Sequence, residues 1–201
     1  MDDITDKGNS MLGPDDFAVP TNGIVELTVS ANHIAVNDED TNAYEIRNAR
    51  IVASAKDRVR YRNGITLPNS AKKLLADSER NVRHSRILAR NIKNNTGQEK
   101  SIEADAHHIV ARLDIRADRS RRYLFDWGIG INDADNGVYL PKRVGSPTNI
   151  SNASAHEKIH TGVYFLEVIE RLRAIAGETS QKARLELRSM KQDLVAGVFP
   201  Y

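Results

Sequence analysis

The sequence of 201 residues contains no cysteine. Disulfides and thiolate metal sites are thereby excluded, and any bound metal must be held by histidine, carboxylate or amide ligands. Long apolar runs are missing too, and no stretch approaches the roughly 20 residues that a membrane-spanning helix requires. The opening "MDDITDKGNSMLGPDDF" is acidic and polar, the reverse of a charged-then-apolar leader. The expectations are synthesis in the cytoplasm, no membrane partner, and a leaderless route for any secretion into target cells. Histidine is scarce, with six in the chain, so where those six fall is informative. The 40% hydrophobic content still suffices for a core, and the length suits one medium domain with at most a small appendage.

Positive charge is scarce at the front of the chain. Residues 1–46 hold one lysine against ten acidic residues, a net −9. The remainder holds 28 basic and 17 acidic residues, a net +11, and the two parts recover the formal +2 of the whole. A basic body behind an acidic front points to a polyanionic partner for the body. The acidic segment can lie across that basic surface at low salt, or serve only as a solvated link.

Residues 1–21 carry Gly, Pro, Asp and Ser without periodicity and read as a flexible acidic N-terminus. Apolar and polar residues alternate in "GIVELTVSANHIAV" and "YEIRNARIVAS". In "VRYRNGITLP", Asn63-Gly64 sits between β-favouring residues. These signals predict a small β-rich region over 22–68, with His33 alone on its surface or edge. From Asn69 the apolar period lengthens. "NSAKKLLADSERNVRHSRILARNIKN" predicts a basic amphipathic helix or helix pair, capped by Asn69 or Ser70 and ended by "NNTGQ", with His84 on its solvated side. The helical stretch "DIRADRSRRYLFDWG" follows, with Trp127 as a core anchor and "RADRSRR" as a solvated face able to track a nucleic-acid backbone. After the Gly/Asn/Asp loop "GIGINDADNGVYLP" and the polar "KRVGSPTNISNAS", two more helices are expected, "AHEKIHTGVYFLEVIERLRAIAG" and "TSQKARLELRSMKQDLVAGV". Residues 69–201 thus form the main body of an α+β protein.

Chemistry concentrates in "SIEADAHHIVARLD". His107 and His108 are neighbours on what reads as a strand, so their side chains point to opposite faces. One can face a metal while the other faces a reaction. Downstream, His156 and His160 are spaced i, i+4, which on a helix puts them about 40° apart on one face. Alone, H-x-x-x-H reads as readily as two polar residues at a helix start. Joined by one histidine of the strand pair, it becomes a three-nitrogen site with positions left for water and substrate.

"ADAHHIV", then "GIGINDADNGVYLP", then "HEKIHTGVYFLEVIERL", in that order, resemble the AHH nucleases of the HNH, or ββα-metal, superfamily. The resemblance covers about residues 100–175 and implies two strands joined through an Asn-bearing loop, with a helix packed across them. It implies that His107, His156 and His160 bind one divalent metal ion and that His108 is the general base. Assigning ligand and base within the pair follows the bacterial colicin nucleases by analogy. Asn136, which precedes the Gly-Val-Tyr-Leu-Pro block, would brace the loop and help orient the base, with Asn132 as its competitor. Three imidazoles favour zinc or nickel for tight binding, while magnesium or manganese, which prefer oxygen, could still support turnover. Arg112, Lys142 and Arg143 flank the motifs as candidate phosphate contacts, and Tyr164 stands one turn beyond His160. The implied function is hydrolysis of DNA phosphodiester bonds by an antibacterial toxin or effector domain, neutralised in its producer by a cognate immunity protein. The alternatives are an RNA-cleaving enzyme of the same fold and a non-catalytic, zinc-stabilised nucleic-acid-binding module.

Overall fold

The computed structural model describes residues 58–148, 150 and 152–201. The strands expected between residues 22 and 57, and His33 with them, lie outside the described residues. The Asn63-Gly64 turn joins β1 (Tyr61–Arg62) to β2 (Ile65–Thr66) in an antiparallel hairpin. Both turn residues have positive φ, 48° and 78°, the conformation that Asn-Gly favours. Next come α1 (Ala71–Glu79) and α2 (His84–Thr96). The basic stretch is therefore a helix pair. Ser70 caps α1 by accepting from the Lys73 N–H, and Gly97 closes α2 in the left-handed conformation. Strand β3 (Ala104–His108) pairs antiparallel with β4 (Gly137–Pro141), with His107 opposite Val138 and His108 opposite Gly137. Between them runs α3 (Asp118–Asp126), and α4 (Gly162–Ala174) and α5 (Ser180–Ala196) complete an α+β fold.

Burial follows periodicity. His84, Leu88, Asn91 and Ile92 are the buried residues of α2, spaced as one helical face requires. Leu88 and Ile92 pack with Ala104 and Tyr139 from the two strands. Gly137 permits this approach, because a Cβ there would come within 2.5 Å of Leu88 Cδ1. The opposite side holds the larger core, in which Leu124, Phe125, Tyr164, Leu172, Leu187 and Met190 are all buried. Trp127 sits partly buried at its margin and donates its indole N–H to Glu178 O. The "RADRSRR" face is less solvated than its composition suggests. Arg121 is buried and donates to the carbonyls of Ala111 and Asp114.

The sequence pattern places His156 and His160 on a helix; in the structure they precede it. Segment 154–161 spends its backbone donors elsewhere. Ser154 N–H bonds Leu194 O, His156 N–H bonds Pro141 O, and Glu157 N–H bonds Lys142 O. Those bonds tie the turn to the end of β4 and to α5, so no i→i−4 ladder forms until Thr161 caps α4 by accepting from Tyr164 N–H.

Two buried carboxylates fasten the loop before β4. Asp133 is fully buried and accepts from Thr66 N–H and Oγ1 in the hairpin, from Asp135 N–H, and from both guanidinium arms of Arg184 on α5. Asp135 accepts from Arg184 and Arg188. Burial alone would raise the Asp135 pKa, but these charge-assisted bonds hold it below the ordinary value. Asp133→Ala should cost about 3–5 kcal/mol, because it strands a half-buried guanidinium and two donors of the hairpin. A urea denaturation midpoint within experimental error of the parent's would show that the network is dispensable.

Candidate active site

Alternation along β3 sorts its side chains. Ala104 and Ala106 face α2, so His108 shares that side, while Asp105 and His107 face the 154–160 turn and the start of α4. On the second side three imidazoles converge. Ring centroids lie 5.1 Å apart for His107–His156, 5.3 Å for His107–His160 and 5.1 Å for His156–His160. One nitrogen of each falls within 4.8 Å of the others. His156 Nε2 and His160 Nε2 are 3.2 Å apart, close to the about 3.3 Å expected of two nitrogens on one tetrahedral zinc at 2.0–2.1 Å.

The far nitrogens of His107 and His156 are spoken for. Tyr164 Oη donates its single proton to Ile109 O at 2.8 Å, so toward His107 Nε2, also at 2.8 Å, it acts as acceptor. His107 is therefore protonated on Nε2, which leaves the Nδ1 lone pair for an ion. Burial raises the Tyr164 pKa and keeps the phenol protonated. Asp105 Oδ2 accepts from His156 Nδ1 at 3.1 Å, leaving the His156 Nε2 lone pair for the ion. Burial, with the neighbouring imidazoles adding to it, pushes the His107 pKa well below its ordinary value. The same two causes lower that of His160. Neutral imidazoles are what a divalent ion needs, and partnered outer nitrogens fix the tautomers of His107 and His156. The residues present thus fit a single divalent ion with nitrogen preference.

The other side of β3 carries a chain of polar contacts. His84, expected on a solvated helix face, is 4% exposed. Its Nε2 donates to Arg80 O at 3.0 Å, and its Nδ1 accepts from Asn132 Nδ2 at 2.9 Å. Asn132 Oδ1 then accepts from His108 Nε2 at 3.1 Å. This order fixes His108 as the Nε2–H tautomer with its Nδ1 lone pair unused. Burial pushes the His108 pKa down to about 4, against the opposing hydrogen bond to Asn132, so the ring is a neutral proton acceptor at pH 7. Asn136 has a different task. It is fully buried, its Oδ1 accepts from Val110 N–H at 2.8 Å, and its Nδ2 donates to Ile131 O at 2.8 Å. Asn136 braces the two ends of the loop, whereas Asn132 touches the ring of His108.

The flanking cations divide. Arg112 donates to Ser78 O at 2.9 Å and so joins β3 to α1. Lys142 is partly exposed and Arg143 exposed, just past β4. The sequence reading missed Asp105 and the buried position of His84. The signal for Asp105 was present, since it stands two residues before His107 and a strand puts i and i+2 on one face. For His84 it was the i, i+4, i+8 spacing with Leu88 and Ile92.

The sequence model of the AHH family, a nuclease family of the HNH/ENDO VII superfamily with a conserved AHH, matches residues 88–196, over half the chain. Ala106-His107-His108 lies within the match. No curated protein and no solved structure matches the chain. Among the described residues no helix is long and apolar enough to cross a membrane. Asp105→Asn should weaken zinc affinity about 10–100-fold, because the amide no longer fixes the His156 tautomer by accepting as an anion. Calorimetric titration of zinc into the two proteins checks this, and equal affinities would remove Asp105 from the site.

Proposed function

The chain belongs to the AHH nuclease family of the HNH/ENDO VII superfamily, and from that premise we propose that it is a metal-dependent endonuclease hydrolysing DNA phosphodiester bonds. The observation that carries this reading is the convergence of His107, His156 and His160 on one face of β3, with His108 and its unused Nδ1 on the other. His107, His156 and His160 would hold a divalent ion, which would supply Lewis-acid polarisation of the scissile phosphate and charge stabilisation for the departing 3′ oxygen.

The chain's own residues supply the proton transfers and the positioning. His108 Nδ1 takes a proton from the attacking water as the new P–O bond forms and the P–O3′ bond breaks; the departing 3′ oxygen takes a proton from solvent water and His108 returns its own to solvent, leaving a 5′ phosphate and a 3′ hydroxyl. Asn132, with His84 behind it, holds the ring in the reactive tautomer. Asn136 keeps the loop that carries Asn132 closed on β3. Lys142 and Arg143, partly exposed and exposed just past β4, are the candidate contacts for flanking phosphates. A purely structural zinc site has no use for a second histidine poised as a base beside a ligand, which speaks against a non-catalytic module. The same proposal makes the chain the cutting domain of an antibacterial effector, restrained in its producer by an immunity protein. Support for that role is the resemblance of the three motifs.

Supercoiled plasmid should be nicked by the purified chain and spared after EDTA treatment. His108→Ala should abolish nicking by at least about a hundredfold, the usual worth of a general base, with zinc affinity nearly intact. His160→Ala should lose both. Degradation of RNA with plasmid left intact would transfer the proposal to the RNA-cleaving alternative. Loss of zinc binding in His108→Ala but not His107→Ala would reverse the roles of the pair.

A further inference from the structure

A groove of about 740 Å³ opens between the β1–β2 hairpin and α2, and its lining includes Arg58, Arg60, Arg62, Arg90, Asn91 and Asn94. The segment leading into the hairpin alternates. Val59 belongs to the core and Tyr61 packs against it, while Arg58, Arg60 and Arg62 are exposed. In extended backbone that period sets successive arginines about 6.7 Å apart on one face. Arg90 adds a fourth cation from α2. Several other arginines of this protein are engaged. Arg121, Arg171, Arg184 and Arg188 all bond carboxylates. Among the described residues no carboxylate or carbonyl engages the four groove arginines. Unpaired guanidiniums in a row match a string of regularly spaced anions rather than a small ligand.

The hairpin turn beside the arginines is held in place. Asn95 Nδ2 donates to Asn63 O at 3.1 Å, and Ala134 N–H to Gly64 O at 2.9 Å. Gly64 lies so close to α2 that a Cβ would fall 2.1 Å from Asn91 O. Asn91 links the groove to the site. It lines the groove and donates to Asn132 O at 2.7 Å, and the side chain of Asn132 holds His108. The geometry points to this groove as the docking surface for the sugar–phosphate backbone of duplex DNA, a substrate exosite registered to the hydrolytic centre through Asn91 and Asn132. Three of its four arginines precede the family-matched residues 88–196, so this surface is an addition made by the preceding segment. The inference rests on the DNA-cleaving reading above for the identity of the polyanion.

The test uses the full chain in a His108→Ala background, so that DNA survives, and measures fluorescence anisotropy of a labelled duplex over a salt series. Changing Arg58, Arg60, Arg62 and Arg90 together to Gln should weaken binding tenfold or more at low salt. It should also flatten the slope of log K against log salt by roughly 3–4, at about 0.9 per lost phosphate contact. The double variant Arg60→Gln/Arg62→Gln should show about half that slope change, which keeps the test open if the fourfold variant folds poorly. Affinity and slope unchanged in a variant that melts like its parent would overturn the proposal. The catalytic reading is judged separately, by plasmid nicking with the unaltered chain. A failure there together with the expected loss of slope would retain the groove and remove the nuclease chemistry.

Discussion

Everything near the site hangs on one buried carboxylate. Asp133 has no solvent exposure and would be costly to bury as an anion without partners. It receives donors from three separate parts of the chain: Thr66 of the hairpin, Asp135 of its own loop and Arg184 of α5. The residue before it, Asn132, holds His108, and Asn136 three residues later ties the loop to Val110 and Ile131. Electrostatic satisfaction thus fixes the loop's shape together with the burial of Ile129 and Ile131 in the core. Lys191, donating to Ala134 O, adds a further pin from α5.

From that fixed loop the division of labour on β3 follows by strand geometry. Two adjacent histidines cannot point the same way. One joins the imidazole cluster with its outer nitrogen held by a buried phenol. The other meets an amide whose orientation is set in turn by a buried histidine. Burial depresses the pKa of both. The effect suits two different ends: a neutral ligand for a cation on one face, and a neutral proton acceptor on the other.

Local signals read well from the sequence. The Asn63-Gly64 hairpin, the Ser70 and Gly97 helix boundaries, and the order of strand, loop and helices follow from turn chemistry, capping and period. The family followed from three short motifs, and the model match over residues 88–196 agrees. What escaped was decided by tertiary bonds. The i, i+4 spacing of His156 and His160 suggests a helix, yet backbone donors there are drawn to Pro141 and Lys142, and the histidines converge from a turn instead. His84 looked solvated among its charged neighbours although its spacing with Leu88 and Ile92 marks the buried face, and no local rule foretells its amide partner 48 residues away. Asn136 was legible as a loop brace, but the contact with His108 falls to Asn132, a choice made by loop shape alone.

The central claim is that one cation is shared by His107, His156 and His160 while His108 stays apart from it. Anomalous diffraction at the zinc absorption edge, from crystals of the zinc-loaded chain, tests this most directly. The account predicts a single strong peak about 2.0–2.1 Å from Nδ1 of His107 and Nε2 of His156, and at the same distance from a ring nitrogen of His160. The His108 ring should remain hydrogen-bonded to Asn132. A peak on His108, or a zinc ion bound away from these three imidazoles, would contradict it.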